Sequence, residues 1–362
     1  MVLTKIQRDK LLAPLQSVSG IVERRHTLPI LSNVLLEKKG ERLTLLATDI
    51  EIQVTTVAEG AGGEGDGAVT VGARKLQDIL RSLPEGAEVS LVLDEKRLQI
   101  CSGRSRFSLQ ILPANDFPRM TVTEGETKQF KISQRAFRQL LAKTQYAMAT
   151  QDVRYYLNGL MLLVERRELS TVATDGHRLA YASVEIDADF PRQEMIIPRK
   201  TVLELNRLLM DSDDPLTITL ASNQVRFSFS AVVLVSKVID GKFPDYERVV
   251  PVGLQNYFTV ARPVLLQAMN RAAILTNEKF RGVRIVLGDG SLKLIAANAE
   301  QEEAQEELEV EYTGDAIDVG FNIGYLLDVL NNVHVDEIKW SFNDANSSSL
   351  ITIPNNDRFK YV

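Results

Sequence analysis

The chain has 362 residues, with 42 basic and 48 acidic side chains and a formal net charge of −6. At about 100–200 residues per domain this length holds two or three domains and needs no disulfide staples. The single cysteine, Cys101, excludes a disulfide framework and a multi-cysteine zinc site, and the three histidines, His26, His177 and His334, lie too far apart for a compact metal motif. Apolar residues make up 44% of the chain and charged residues 25%, the balance of an ordinary globular protein. No run of about 18 apolar residues predicts a membrane span, and residues 1–9 alternate charges where a signal peptide would be apolar. One cysteine fits a reducing cytoplasm. Taken alone, the acidic balance argues against a nucleic-acid partner.

In chain order, residues 5–22 carry a helical pattern, and residues 43–49 (LTLLATD) alternate like a strand and end in a polar turn. The stretch 59–67, with five glycines, is a flexible turn between strands; as a phosphate cradle it lacks a following Lys-Ser/Thr. Residues 69–76 read as a strand entering a helix, followed by strands at 88–93, 97–101 and 106–112. The pattern then returns. Ser133 is an N-cap candidate for a helix over 134–148, 169–175 (LSTVATD) repeats 43–49 at an offset of 126, and 195–202 is again a strand entering a helix. A third helix pattern at 262–275 precedes 292–298 (LKLIAAN), a further 123 residues on, and 317–324 closes the series. The chain therefore reads as three α+β repeats of two helices each, at 1–126, 127–255 and 256–362.

Charge follows the same repeat. The helix segments carry +3 over 5–25, +2 over 73–81, +4 over 131–143, +1 over 199–211, +2 over 262–271 and −1 over 321–332. That is +11 in all, which leaves −17 for the rest of the chain. A solvated helix face normally mixes signs, so one merely basic helix means little. Six helices sharing one face would bind phosphates with little sequence preference.

Several longer motifs carry a resemblance: 27–33 (TLPILSN), 102–107 (SGRSRF), 151–159 (QDVRYYLNG), 173–180 (ATDGHRLA), 241–246 (GKFPDY) and 321–330 (FNIGYLLDVL). In these, and along essentially its whole length, the chain resembles the bacterial DNA polymerase III β subunit family of sliding clamps. The resemblance implies three DNA-clamp domains per chain, each with two helices and two antiparallel sheets. Two chains would close head to tail into a six-domain homodimer ring, with helices lining the hole around duplex DNA. It implies no catalysis and no cofactor, and it names as partners the polymerase III α subunit, a clamp loader, and other polymerases and repair proteins with clamp-binding peptides.

By the same resemblance, DNA contact falls to Arg24, Arg74, Gln151, Tyr155, Tyr156, Lys200 and Arg207. Core packing is the plainer reading for one of the two adjacent tyrosines. The peptide cleft falls to Arg154, Leu157, Thr174, Gly176, His177, Arg178, Leu179, Pro244, Arg248, Val249, Asn322, Tyr325, Ser348 and Val362. The subunit interface joins Arg104, Arg106, Phe107 and Leu109 to Ile274, Leu275, Glu300, Glu302, Glu303 and Glu306 of the other chain. Seven carboxylates between 300 and 311 agree with an acidic edge, or with a solvated acidic helix or turn. The family's sequence continues past Tyr361-Val362 with a short Met-Pro-containing end that completes the cleft; losing it would weaken partner binding while sparing the ring.

Two other readings compete. A hydrolase using Asp175 and His177 lacks a Gly-x-Ser-x-Gly nucleophile motif, and histidine follows only one of the three equivalent turns. A protein-only scaffold explains the repeat and the acidic edge but not the positive helices.

Overall fold

The computed structural model of the chain describes residues 1–23, 28–63, 65–121 and 127–362. The first repeat runs β1 (Val2–Gln7), α1 (Arg8–Ser19), β2 (Asn33–Lys39), β3 (Arg42–Thr48), β4 (Ile52–Glu59), β5 (Gly67–Gly72), α2 (Ala73–Ser82), β6 (Glu88–Leu93), β7 (Arg97–Ser102) and β8 (Ser105–Leu112). The second runs β9 (Lys128–Ser133), α3 (Gln134–Ala142), the long hairpin of β10 (Gly159–Thr174) and β11 (Leu179–Pro198), α4 (Arg199–Leu208), β12 (Pro215–Leu220), β13 (Gln224–Phe229) and β14 (Val232–Lys237). The third runs β15 (Asn256–Ala261), α5 (Arg262–Ala273), β16 (Gly282–Gly288), β17 (Ser291–Ala297), β18 (Glu303–Glu309), β19 (Ile317–Asn322), α6 (Ile323–Asn332), β20 (Glu337–Phe342), β21 (Leu350–Ile353) and β22 (Asn356–Tyr361).

Sheet pairing cuts across these repeats. The chain packs as two compact units, Met1–Ala136 with Leu203–Val238 and Phe137–Val202 with Ile239–Val362. In the first unit a 12-stranded sheet runs β1-β6-β7-β8-β5-β2-β3-β4-β14-β13-β12-β9, so β4 of the first repeat pairs with β14 of the second. In the second unit β11 of the second repeat pairs with β22 of the third, and β18-β17-β16-β19 form a separate sheet. The two junctions share one register. Leu234 lies opposite Val54 and Val235 opposite Gln53; Tyr361 lies opposite Ala180 and Lys360 opposite Tyr181.

The same side chains recur under each junction. Phe117 packs on Leu35 and Leu46 beside Ile30. Phe243 packs with Met161 and Val172, beside Tyr156. Each phenylalanine precedes a proline, Pro118 or Pro244. In the third repeat Phe258, Trp340 and Phe342 are wholly buried and stack with ring centroids 5.1–6.3 Å apart.

Three arginines tie the two helices of each repeat together. Arg8, Arg135 and Arg262 are spaced 127 residues apart at the start of α1, α3 and α5. Their backbone N–H groups donate to Ala87, Ser212 and Asp336. Their guanidinium groups donate to carbonyls at or just past the end of the second helix: Arg8 to Leu80, Arg135 to Asp211, and Arg262 to Leu330 and Val335. A cation at its own helix N-terminus is disfavoured by the macrodipole, whereas beside another helix's last carbonyls it is favoured.

The helices are shorter than the apolar spacing predicts. Residues 5–7 belong to β1, where alternation buries Leu3 and Ile6. α3 stops at Ala142 because the buried Thr144 hydroxyl bonds back to Leu140 and across to Thr171. Ser133 Oγ accepts from the Ala136 N–H as a cap. The glycine-rich turn is pinned rather than free on its β1 side: Lys5 and Gly62 exchange two backbone hydrogen bonds of 2.7 and 3.0 Å, and a Cβ on Gly63 would sit 2.7 Å from the Leu3 carbonyl. The acidic segment after 300 is neither helix nor turn alone, since Glu303–Glu309 is an edge strand with alternating exposure. The first repeat boundary, near residue 125, falls outside the described residues.

Arg262→Ala orphans the carbonyls of Leu330 and Val335. The expected loss is about 1–3 kcal/mol of stability in urea unfolding, and Arg262→Lys should recover only part of it, because an ammonium cannot span both acceptors.

Candidate functional site

The site grows from the turn that ends each repeated strand. Asp49 Oδ1 accepts from the N–H groups of Glu51 and Ile52. Asp175 Oδ1 accepts from His177 and Arg178, and Asn298 Oδ1 from Glu300 and Glu302. This explains the small polar residue at all three positions: its side chain replaces the backbone acceptor a turn lacks. In the first two turns the threonine before it also binds inward, Thr48 Oγ1 to the Ile52 carbonyl and Thr174 Oγ1 to that of Arg178. The turns differ in one respect. Gly176 holds φ +89°, while its counterpart Ile50 holds +72° with a β-branched side chain, a conformation that costs energy. At Gly176 a Cβ would meet the Arg154 guanidinium at 2.8 Å.

Arg178 is the hub of the second turn. Its side chain is 10% exposed. Nε donates to Asp175 at 3.1 Å, Nη1 to Asp328 of α6 at 2.5 Å, and Nη2 to the Tyr146 carbonyl at 2.7 Å. The guanidinium also lies 4.5 Å from the Tyr325 ring centroid, a cation–π distance. Burial works against the charge, but the Asp328 carboxylate and the Tyr361 phenolic oxygen hold Arg178 protonated well above the ordinary arginine value. The Tyr361 hydroxyl donates to the Tyr325 carbonyl at 2.8 Å. Beneath it the Tyr146 hydroxyl is buried without a hydrogen-bond partner, and burial pushes its pKa far up.

Around this hub the structure gathers much of the expected cleft. Leu157 and Leu179 are buried. Val362 exchanges two backbone hydrogen bonds with Leu179 and packs against the Phe243 and Tyr246 cluster. His177 stacks on Tyr325 at 6.3 Å. Arg154 pairs with Asp152 and donates to the Asp175 carbonyl, and Asn322 caps α6 through the Gly324 N–H. Val249 is half exposed and Pro244 partly buried. Arg248 turns to Asp245, and Ser348 is exposed in the 343–349 loop; neither bonds to the other cleft residues. Asp328, Tyr146 and Tyr361 escape the sequence reading. The one available signal is that Asp328 is the only charge on an otherwise neutral α6.

A catalytic Asp175–His177 pair is absent. Both oxygens of Asp175 are occupied, by backbone N–H groups and by Arg178, and the imidazole faces Tyr325.

The residues expected to meet DNA are differently disposed. Arg24 lies outside the described residues. Arg74 donates to the Val22 carbonyl at 3.1 Å and stands beside Lys75 at the uncapped start of α2. Gln151 is exposed at φ +56°. Tyr155 is 58% exposed and meets Tyr156 edge-on, while Tyr156 packs against the core. Lys200 is the second residue of α4 and half-buried. Arg207 is bound to Glu204 at 2.6 Å and to the Ser17 carbonyl. Within the observed helix bounds the charge sum is +8, not +11: Lys5 and Lys131 lie in strands, Lys143 lies past α3, and Arg24 and Arg25 lie outside the described residues, while two acids, Glu23 and Asp211, also fall beyond the helix ends.

The expected interface residues lie on β8 and the turn before it, on and beside β18, and at the end of α5. In β8, Phe107 and Leu109 alternate with exposed residues, and beyond its β7 pairing only Ile111 and Leu112 pair again, with β5. Arg104 is exposed in the β7–β8 turn, and Arg106 approaches Cys101 Sγ at 4.0 Å. β18 is an outermost strand. Glu306 there is held by Arg271, which keeps its carboxyl below the usual range. Glu302 accepts from Asn298, and Glu300 and Glu303 are exposed. Ile274 is 76% exposed, with Leu275 half-buried next to it.

Three copies of a two-helix, two-sheet unit, joined strand to strand, define a clamp-type architecture. Comparison with known proteins agrees. Family models for the N-terminal, central and C-terminal domains of the DNA polymerase III beta subunit match residues 2–121, 131–245 and 247–362. The beta sliding clamp of Pseudomonas aeruginosa is 48% identical, over 99% of this chain and 97% of the relative. A crystal structure of the DNA polymerase III subunit beta from the same organism superposes with a TM-score of 0.94, at 46% identity over 99% of this chain and 98% of that one. Another, at the same TM-score and identity over 99% and 97% of the two chains, is of that organism's clamp bound to griselimycin. The chain belongs to the DNA polymerase III beta subunit family and is a non-catalytic sliding clamp.

The Arg154 side chain holds the Asp152 carboxyl down to about 2. A depressed carboxyl stabilises the fold above its unfolded pKa and loses that contribution as pH falls from about 4 through 2. Arg154→Ala should raise the Asp152 carboxyl toward the ordinary range in a carbon-13 NMR titration, with the retained N–H of residue 154 still holding it partly down.

Proposed function

We propose that two chains close head to tail into a ring around duplex DNA, and that each chain offers the Arg178–Tyr325 cleft to short peptides of its partners. The observation that carries this reading is the shared register of the two internal junctions. Each pairs the strand after the repeated turn with the last strand of the next repeat. Continued to a third junction, the rule leaves without a second neighbour β18, an outermost strand, and the part of β8 before Ile111, which pairs only with β7. Transferred through the repeat, the register sets Phe107 opposite Ala304 and Arg106 opposite Gln305 of the other chain, with Glu303 and Glu307 diagonal to Arg106. Opposite charges at such diagonal positions are within reach. A head-to-tail contact that closes after two copies gives two identical interfaces.

DNA would be retained by enclosure, so weak and sequence-blind phosphate contacts suffice. Arg74 and Lys200 suit phosphates, as does Arg207 once it leaves Glu204. Gln151 and Tyr155 suit exposed bases at a single-strand junction. The cleft's buried leucines, Val362, and the half-exposed Val249 and Pro244 suit apolar peptide side chains. The polymerase III α subunit, the clamp loader, and other polymerases and repair proteins are the proposed sources of those peptides, and the cytoplasm is the proposed location.

Loaded on nicked circular DNA, the protein should stay bound and then run off once the circle is cut. Equal retention on both forms would overturn the ring. Arg106→Glu alone should shift sedimentation toward monomer, and adding Glu303→Arg should restore part of the dimer. Leu179→Asp should abolish binding of a clamp-binding peptide without changing sedimentation.

A further inference from the structure

Three equivalent strands, β1, β9 and β15, each end a sheet. An open edge presents unpaired N–H and C=O groups that invite another strand. Two of the three edges are guarded. β1 is covered where Lys5 exchanges two hydrogen bonds with Gly62 of the glycine-rich turn. β9 carries Lys128 and Lys131. β15, sequence NYFTVA, has no charge and no proline, and it pairs only with β20.

Between β15 and the segment 309–314 lies a groove of about 700 Å³. This segment corresponds to the glycine-rich turn of the first repeat, but here it touches the strand only at its start, where Asn256 Oδ1 accepts from the Asp315 N–H at 3.4 Å, and it makes no backbone hydrogen bond to Thr259. By the repeat Thr259 corresponds to Lys5, since each precedes its stapling arginine by three residues, so the Thr259 N–H and C=O face the groove. Glu309, Glu311 and Glu337 line it and make no ion pair or side-chain hydrogen bond. No lysine or arginine lines the groove; Lys339 sits 3.8 Å over the ring of Tyr257, and the Arg262 guanidinium is taken by the Val335 and Leu330 carbonyls. Tyr257 and Val264 are about half exposed along the same wall.

We propose that this groove is a docking site for an extended basic polypeptide segment, which adds to β15 as an antiparallel or parallel strand and sets its Lys or Arg side chains against the three glutamates. Backbone hydrogen bonds to the edge would supply affinity and the carboxylates would select the partner's charge. A six-residue edge spans about 20 Å, enough for a short alternating segment with apolar residues inward and cations outward. The groove and its occupant are separate from the peptide cleft, which lies at β11 and β22.

The test uses the full-length purified chain and a capped hexapeptide alternating Lys and Val, with a Glu/Val hexapeptide as control. Calorimetry should find one Lys/Val site per chain, weakened at least fivefold by Glu309→Gln, Glu311→Gln and Glu337→Gln together and by raised salt. Thr259→Pro, which removes an outward N–H, should weaken it similarly, with circular dichroism as the check on folding. N-methylating the peptide at alternate positions tests the same bonds with the protein unaltered. Lack of binding at millimolar peptide, equal binding of the Glu/Val control, or indifference to the glutamine changes would overturn the proposal. Loss of binding in Leu179→Asp instead would assign the peptide to the cleft and overturn it too. Peptide-free association of rings that Thr259→Pro abolishes would assign the edge to a second copy of this chain and overturn the basic-segment reading.

Discussion

A β-strand cannot leave its backbone groups unpaired away from water, and that constraint organises this chain. Each repeat ends in strands whose outer edges need a neighbour, and the next repeat supplies it. The register is the same at both internal junctions, so the joint is a property of the repeat rather than of particular side chains. This is why the side chains across the joints differ freely, Val235 and Gln53 at one and Tyr361 and Ala180 at the other. It is also why the compact units do not follow the repeats: the second repeat is divided, its halves belonging to the sheets of its two neighbours.

The helices carry the second layer of the design. Arg8, Arg135 and Arg262 begin helices whose own dipoles disfavour them, and each is satisfied by the closing carbonyls of its partner helix. These three cations belong to the fold. The basic residues left for a polyanion are fewer than the helix charge suggests, and several of those, Arg74, Arg207 and Arg271 among them, already have acceptors. A surface whose cations are partly spoken for holds phosphate loosely, which suits a protein that must move along its substrate.

Local alternation was readable from the chain. The strand over 88–93 and a strand entering a helix within 69–76, 195–202 and 317–324 follow from spacing alone; the junctions, at 72–73, 198–199 and 322–323, are set by the fold. Spacing alone makes the helices too long, because Thr144 and the β1 pairing are tertiary effects that periodicity does not contain. The polar turn at 49, 175 and 298 was legible as a turn, but its role as an Asx turn was not. At the cleft, the sequence marks Arg178 and Tyr325 through family motifs. It does not mark Asp328 or Tyr146, because their significance arises only when α6 and the segment after α3 converge on one guanidinium. The acidic run after 300 was legible as charge; its strand form depends on pairing with β17.

Gly176 and Ile50 occupy the same place in two copies of one turn, and only the glycine leaves the surface beside it open to Arg154 and to a visitor. One residue without a side chain thus sets this turn apart from its copy in the first repeat. Twofold symmetry about the hole places the two clefts of a dimer on the same side of the ring. In the ring proposed above the two berths would face one way, so that a protein docked at one would stay aboard while another used its twin, and handover would become a local exchange instead of a search through solution.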